Sequence, residues 1–441
     1  MYRKILCIAL CLVACLLLCG CDSFFAADTA ELLSPPTLSG ELYPIAQAID
    51  QSVESSYTLE YPSRGEYRSA VVREDIDGDS TLEAFAFYSM TEAENVTMNL
   101  NFIRLVDGNW ESLSQQKIVA GGVDMLEFCD LDNDGIKEIL VGWEIYGTSE
   151  MQLAVYSMAE NTLAQRMLQR YTHFATCDLN EDSKQEILVI NSNSAESVNT
   201  AAIYEFSEKG TTELSVCELD SASKTFNAPV VSTLSSGKPA VYIDEIKGVG
   251  AITEVLFMEK GTLVNPLFQP DSKETLATIR PATFTSTDIN GDGIIEIPVQ
   301  KDVLSVARSQ LNEKLYLTQW CSFNGELLTV QQTDMINVND GFSYTIPAKW
   351  IDKIAVLKDT DNQIREIYRY NADEILVGES LIYFRAVKKS DWESGKYDSE
   401  GGQEILTKED TVFFCRISHA AKQEGVTIET VKNAFKIFEQ E

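Results

Sequence analysis

A short acidic segment recurs along this 441-residue chain and constrains its fold more than any other feature. The clearest copy, DLDNDGIKEILVGW, begins at Asp130 and runs from three aspartates through a glycine into apolar residues. Related segments begin at Asp75, Asp178 and Asp288, and a degenerate copy begins at Ser232, so successive starts are 55, 48, 54 and 56 residues apart. A period of this length fits four short strands with their turns, which is one blade of a β-propeller.

The residues around each acidic loop have the pattern of β-strands. EILVGWEIYG and EILVINS, which follow two of the loops, are rich in β-branched and aromatic residues, and no helical period interrupts the repeats. We therefore predict a mainly β fold, with a β-propeller of about five four-stranded blades over residues 57–335. A small α+β domain is expected over residues 336–441.

Two helices are predicted outside the repeats. TIETVKNAFKIFEQE has Thr427 as a candidate N-cap and Ile428, Val431, Phe435 and Phe438 on one apolar face. We expect this C-terminal helix to pack on a small antiparallel sheet. ELYPIAQAIDQSVESS, which precedes the first repeat, has the same apolar spacing and predicts a short helix.

The spacing D-x-[DN]-x-D-G-x-x-E is typical of a metal site with oxygen ligands. Positions 1, 3, 5 and 9 supply side-chain oxygens, and glycine at position 6 allows a positive φ where the chain turns back. Ca²⁺ accepts about six to eight such ligands, so we expect about three to four structural Ca²⁺ ions. The alternative is a solvated turn, in which each aspartate caps its own backbone. The candidate ligands are Asp75, Asp77, Asp79, Glu83, Asp130, Asp132, Asp134, Glu138, Asp178, Asn180, Asp182, Glu186, Asp288, Asn290, Asp292 and Glu296.

These segments resemble FG-GAP/VCBS-type repeats, the calcium-bearing propeller repeats of integrin α subunits and of many bacterial surface proteins. The resemblance covers residues 57–335 and implies that calcium stiffens each loop while partners bind elsewhere on the propeller. Position 9 is often Asp in that family but Glu in all four copies here, and Ser80 and Ser183 replace the glycine. The copy at Ser232 lacks acidic ligands and is expected to hold no metal. The segment GFSYTIPAKW and the closing helix resemble the PsbP-like α/β domains of bacterial lipoproteins.

The N-terminus has the pattern of an export signal. A positively charged start is followed by an apolar stretch over residues 5–18, which is too short to span a membrane comfortably. The stretch ends in LCGC, which resembles the lipobox of bacterial lipoproteins and implies a lipid on Cys21. We therefore predict a signal peptide over residues 1–21, a tether with a short helix over residues 22–56, and an extracytoplasmic, lipid-anchored protein. An ordinary cleaved signal peptide is the alternative.

The net charge and the missing catalytic motifs limit the functions that this chain is expected to have. A net charge of −33 repels phosphate backbones, so nucleic acid is not expected as a partner. The chain has two histidines and no GxSxG, HExxH or P-loop motif, so we expect no catalytic residues and no enzyme. The expectation is a binding or scaffold module for an envelope protein or glycan. The alternative is a polysaccharide-acting enzyme or accessory subunit with a carboxylate pair in the propeller mouth.

Overall fold

The computed structural model describes residues 38, 40–92, 95–148, 150–159, 161–193, 198–281, 284–306, 315–374 and 376–437. The predicted signal peptide, Cys21 and the start of the tether lie outside these residues. The chain divides into unit 1, which comprises Met1–Phe128 and Gly135–Leu168, and unit 2, which comprises Cys129–Asp134 and Gln169–Glu441. Within the described part of the chain, no helix has the length and apolar character needed to cross a membrane.

Strands outnumber helices throughout. The helices are α1 (Tyr43–Ser52), α2 (Lys389–Glu393), α3 (His419–Gln423) and α4 (Ile428–Ala434), with 3₁₀ turns at Gly40–Leu42, Ala348–Trp350 and Asp398–Glu400. The strands are β1 (Thr58–Leu59), β2 (Val71–Glu74), β3 (Glu83–Glu92), β4 (Asn95–Val106), β5 (Asn109–Ile118), β6 (Gly122–Cys129), β7 (Glu138–Glu144), β8 (Met151–Ala159), β9 (Thr162–Tyr171), β10 (His173–Cys177), β11 (Glu186–Asn193), β12 (Val198–Ser207), β13 (Gly210–Leu219), β14 (Thr225–Phe226), β15 (Val230–Thr233), β16 (Pro239–Lys247), β17 (Gly250–Glu259), β18 (Thr262–Val264), β19 (Phe268–Gln269), β20 (Glu274–Thr275), β21 (Arg280–Pro281), β22 (Ile297–Ser305), β23 (Leu315–Phe323), β24 (Leu328–Asn337), β25 (Phe342–Thr345), β26 (Ile354–Asp359), β27 (Ile364–Asn371), β28 (Leu376–Lys388), β29 (Gln403–Lys408), β30 (Thr411–Ile417) and β31 (Phe435–Ile437).

The first two sheets follow the predicted repeat. β3, β4 and β5 pair in sequence with β1 and β2 both on β3, and β6 to β9 form a sheet in chain order. Within unit 1, Phe87 and Trp143 lie in one apolar core, with ring centroids 5.9 Å apart. The predicted N-terminal helix is α1, which buries Ile45 and Ile49 against a sheet core that includes Tyr88.

The sheets of unit 2 continue the pattern. β10 to β13 pair in chain order, and β16 and β17 form the centre of the next sheet with β14, β15, β18 and β21 around them. Successive small sheets, each built from strands adjacent in sequence, are what a blade repeat requires. The prediction of a mainly β, propeller-like fold is therefore confirmed.

The C-terminal strands differ from the expected separate antiparallel sheet. β22, β23 and β24 of the fifth repeat belong to a ten-stranded sheet with β25 to β31, in the order β29-β30-β28-β27-β26-β22-β23-β24-β25-β31. The junction is a parallel pairing of β22 with β26, through Leu304 with Ala355 and Ser305 with Val356. The fifth repeat and the C-terminal region therefore share one sheet.

The C-terminal helix is shorter than its apolar pattern predicts. Thr427 is the N-cap, as expected, and accepts a hydrogen bond from the backbone N–H of Thr430. α4 then ends at Ala434, and Phe435 begins β31 opposite Tyr344. The ring of Phe435 stacks on Phe342 with centroids 4.9 Å apart, so tertiary packing overrides the helical spacing here. Phe438 lies outside the described residues.

Candidate metal centres

Four acidic loops occupy equivalent places before strands β3, β7, β11 and β22. We call them the first loop (residues 75–83), second loop (130–138), third loop (178–186) and fifth loop (288–296). In the third loop, Asp178 accepts hydrogen bonds from the backbone N–H groups of Asp182 (3.1 Å) and Ser183 (3.0 Å). Asp288 accepts the same two bonds in the fifth loop, and Asp75 in the first loop accepts from the backbone N–H groups at positions 4 and 6, Gly78 and Ser80. The aspartate at position 1 therefore folds the loop around itself.

The backbone turns back at position 6, as the metal motif requires. Gly135 and Gly293 have φ of 92° and 85°, and Ser80 and Ser183 adopt φ of 69° and 73° in the same place. The serines therefore carry the strain that glycine avoids. Position 4 is also left-handed in every loop, which sequence reasoning missed, although Gly and Asn predominate there. These position-4 residues are Gly78, Asn133, Glu181 and Gly291.

The glutamate at position 9 begins or immediately precedes a strand and is buried in every loop. Its exposure is 0% for Glu83 and Glu296, 1% for Glu186 and 3% for Glu138. Oε2 of Glu186 accepts the backbone N–H of Leu179 at 2.9 Å, and Glu83 and Glu296 make the equivalent bond. Burial raises the pKa of Glu186 to about 7. Oε2 thus holds the loop to the start of the strand by a hydrogen bond, which leaves Oε1 for contacts inside the loop.

In each unit, the carboxylates of an acidic loop are close enough together to share a cation. Oxygens of Asp75, Asp77 and Glu83 lie within 4.8 Å of one another, as do those of Asp178, Asp182 and Glu186. Three hard oxygen donors at this separation suit Ca²⁺. Several acidic clusters of this protein could therefore hold a metal ion.

The first loop contains a basic side chain that sequence reasoning missed. Arg104, on β4, forms an ion pair with Asp77, and its guanidinium lies 3.1 Å from Oδ2 of Asp79 and 3.3 Å from Oε1 of Glu83. Three of the four predicted ligands of this loop are therefore paired with one arginine.

The second loop has aspartate at positions 1, 3 and 5. Oδ1 of Asp132 is buried and has no hydrogen-bond partner. Burial raises the pKa of Asp132, and the neighbouring carboxylates of Asp134 and Asp130 raise it further. An orphaned buried oxygen among like charges is the arrangement that a bound cation relieves. Asp130, Asp132 and Asp134 all belong to unit 2.

The third and fifth loops have asparagine at position 3. The side-chain amide of Asn180 donates to Oε1 of Glu186 at 2.7 Å and to Oδ2 of Asp182 at 3.2 Å. Asn290 makes the corresponding contacts in the fifth loop at 3.4 and 3.0 Å. A neutral amide therefore links two carboxylates and leaves their negative charge in place.

A different group of acids is buried in the sheet of β16 and β17. Asp220, Glu245 and Glu254 are each 0% exposed. Asp220 pairs with Lys247 at 2.8 Å, and Glu254 accepts the hydroxyl of Thr275 at 2.6 Å. Burial and then the neighbouring Glu254 raise the pKa of Glu245 well above its ordinary value. This is a carboxylate pair, but a polysaccharide cannot reach side chains with no exposed surface.

A cavity of about 590 Å³ lies in unit 2 among β22, β23, β26 and β27. Tyr316 and Phe284 supply aromatic surface, and Gln300 and Asn339 supply side-chain amides. Two basic residues, Lys358 and Arg365, also line it, and none of the described residues that line it is acidic. These residues are up to 84 positions apart, from Pro281 to Arg365, and are gathered by the shared sheet.

Comparison with known proteins gives a general likeness only. No protein-family model matches the chain, and no curated protein matches it. An exotype rhamnogalacturonan lyase aligns with 73% of this chain and 83% of its own, at 11% identity and a TM-score of 0.31. A rhamnogalacturonan lyase of Bacillus licheniformis covers 73% and 76%, at 12% identity and a TM-score of 0.33. The periplasmic gluconolactonase of Pseudomonas aeruginosa covers 73% and 86%, at 12% identity and a TM-score of 0.30.

These comparisons correct one expectation from the sequence. The chain was expected not to be an enzyme, but the solved structures it resembles are named as lyases and a lactonase. The expectation rested on missing histidine and motif signatures, and carbohydrate chemistry does not require those signatures. Because the TM-scores are near 0.3, the likeness assigns no activity by itself. The FG-GAP/VCBS and PsbP-like resemblances gain no family support, and the coarser propeller-like description remains.

Proposed function

We propose that this protein acts on a carboxylate-bearing polysaccharide outside the cytoplasm, as an enzyme or as an accessory subunit, and binds the saccharide in the 590 Å³ cavity. The observation that carries the proposal is the lining of that cavity, which combines aromatic surface, amides and basic groups in a chain of net charge −33. Lipid anchoring through Cys21 and Ca²⁺ in the acidic loops are parts of the same proposal.

The neutral part of the lining suits a sugar ring. The cavity volume is within the range of ordinary small-ligand sites, about 300–1,000 Å³. Tyr316 is 40% exposed and offers a flat apolar face to sugar C–H groups. Gln300 and Asn339 can each donate to and accept from hydroxyl groups.

The basic part of the lining favours a carboxylate. Lys358 and Arg365 are direct cross-strand partners on β26 and β27, so two positive charges stand side by side. Arg365 is 6% exposed, and its guanidinium is held by a 2.9 Å bond to Oδ1 of Asn337. Nη1 of Arg365 also donates to the backbone oxygen of Ile364 at 3.0 Å, so this guanidinium supplies a fixed positive charge in the cavity wall. In so acidic a protein, a cavity lined by basic groups concentrates anionic ligands there.

Calorimetric titration with two matched ligands tests the proposal. An oligosaccharide of uronic acids should bind saturably, and the same oligosaccharide with its carboxyl groups reduced to alcohols should bind at least about tenfold more weakly. Lys358→Gln should remove most of that preference, whereas the control Lys349→Gln, outside this cavity, should keep it. Equal binding of the two ligands, or equal behaviour of the two variants, would contradict the proposal.

A cleavage assay on the same polymer separates the two forms of the proposal. New chain ends that appear with the wild-type protein and disappear with Lys358→Gln would make the protein an enzyme. Tight binding without new chain ends would make it an accessory subunit. Tyr316→Ala should weaken both the acidic and the neutral ligand, because the aromatic face contacts the ring and not its charge.

A further inference from the structure

The first loop differs from the other acidic loops in the residue that faces it across the sheet. Position 10 of the first loop, Ala84, pairs with Ile103, and Arg104 is the next residue. Position 10 pairs in the same way with Tyr156, Tyr204 and Cys321 in the other three repeats. The residues equivalent to Arg104 are therefore Ser157, Glu205 and Ser322.

The guanidinium of Arg104 occupies the space that a cation would need. It reaches Asp77, Asp79 and Glu83 together, and its side chain is 24% exposed. A divalent ion bound by the same three carboxylates would lie within a few ångströms of a fixed positive charge. Two positive charges so close together repel each other strongly in a partly buried site, and a divalent ion doubles the repulsion.

We propose that Arg104 takes the place of calcium in the first loop, so that a side chain of the protein itself neutralises the negative charge of this loop. Calcium is then confined to the second, third and fifth loops, where serine or glutamate stands at the equivalent position. In the third loop this position holds Glu205, one residue beyond Tyr204, the partner of Ile187, so no positive charge faces the loop from here.

The test is the number of calcium ions bound per chain, measured by elemental analysis after equilibrium dialysis of the whole protein. Arg104→Ser, which copies the second and fifth repeats, should gain one ion relative to wild type. Glu205→Arg, which copies the first repeat into the third, should lose one. Arg416→Ser is the matched control, because Arg416 is another strand arginine but pairs with Glu366, which belongs to none of the acidic loops. It should leave the count unchanged.

A second variant keeps the test valid if Arg104→Ser does not fold. Asp77→Ala in the otherwise wild-type chain removes a ligand of the first loop and should leave the ion count unchanged, since Arg104 already fills that loop. A loss of one ion in Asp77→Ala would overturn the proposal, because calcium would then bind beside Arg104. A folded Arg104→Ser variant with the wild-type count would overturn it as well.

Discussion

The first and second loops have the same four acids at the same spacing, yet they neutralise their charge differently. In the first loop, Arg104 contacts the acids at positions 3, 5 and 9. Each loop has one buried carboxylate oxygen without a hydrogen-bond partner, Oε1 of Glu83 and Oδ1 of Asp132, but only the oxygen of Glu83 has Arg104 beside it, at 3.3 Å. The comparison teaches that the acidic motif requires a positive charge. The residue opposite the motif on the neighbouring strand determines whether an arginine or a metal ion supplies that charge.

Asp132→Ala should have the largest effect on this comparison. The substitution removes the ligand oxygens at position 3, which the asparagines of the third and fifth loops keep, so the second loop should release its ion. Loss of a saturating ion lowers the free energy of unfolding by about 2.7 kcal/mol at a hundredfold excess of calcium over its dissociation constant. Thermal unfolding in excess calcium should show the loss, and Asp132→Ala should be nearly neutral in chelator. Equal losses in calcium and in chelator would make Asp132 an ordinary structural residue.

Arg104→Ser should show the opposite calcium dependence. Without calcium, removal of the arginine leaves Glu83 buried without a counter-ion, at a cost of about 1–3 kcal/mol. Excess calcium should restore much of that stability, since the vacated loop then holds an ion. The melting temperature of this variant should therefore rise more with calcium than that of wild type. A loss that calcium does not repair would contradict the equivalence of arginine and ion.

Glu245→Gln should have an effect at alkaline pH only, and it examines a third form of compensation, which is protonation. Glu245 faces Glu254 and Asp220, and its folded pKa is raised above the unfolded value by burial and by Glu254. Its contribution is therefore complete below the unfolded pKa and is lost as pH rises through the folded pKa. The glutamine variant should match wild type in acid and exceed its free energy of unfolding at alkaline pH by about 1–3 kcal/mol. Parallel stability curves against pH would show that Glu245 does not titrate.

Local pattern was sufficient for much of this structure. The strand repeat, the acidic loops, the positive φ at position 6 and the cap at Thr427 each depend on residues close together in sequence. The role of Arg104 depends on strand register, because it lies 21 residues after Glu83 and meets it across β3 and β4. Aligning the hairpins of the four repeats would have shown arginine at this position in the first one.

Long-range pairing determined the features that were missed. The parallel contact of β22 with β26 joins the fifth repeat to the C-terminal strands and brings Tyr316 near Lys358 and Arg365. Phe435 leaves its helix because Phe342 offers it a partner in the core. No periodicity within either segment encodes such contacts, so the cavity could not be predicted from the sequence.

Anomalous diffraction from crystals of the protein grown in calcium tests the central claim most directly. The account predicts calcium peaks in the second, third and fifth loops, with the guanidinium of Arg104 between the carboxylates of the first loop. A calcium peak in the first loop, with Arg104 turned away, would contradict it.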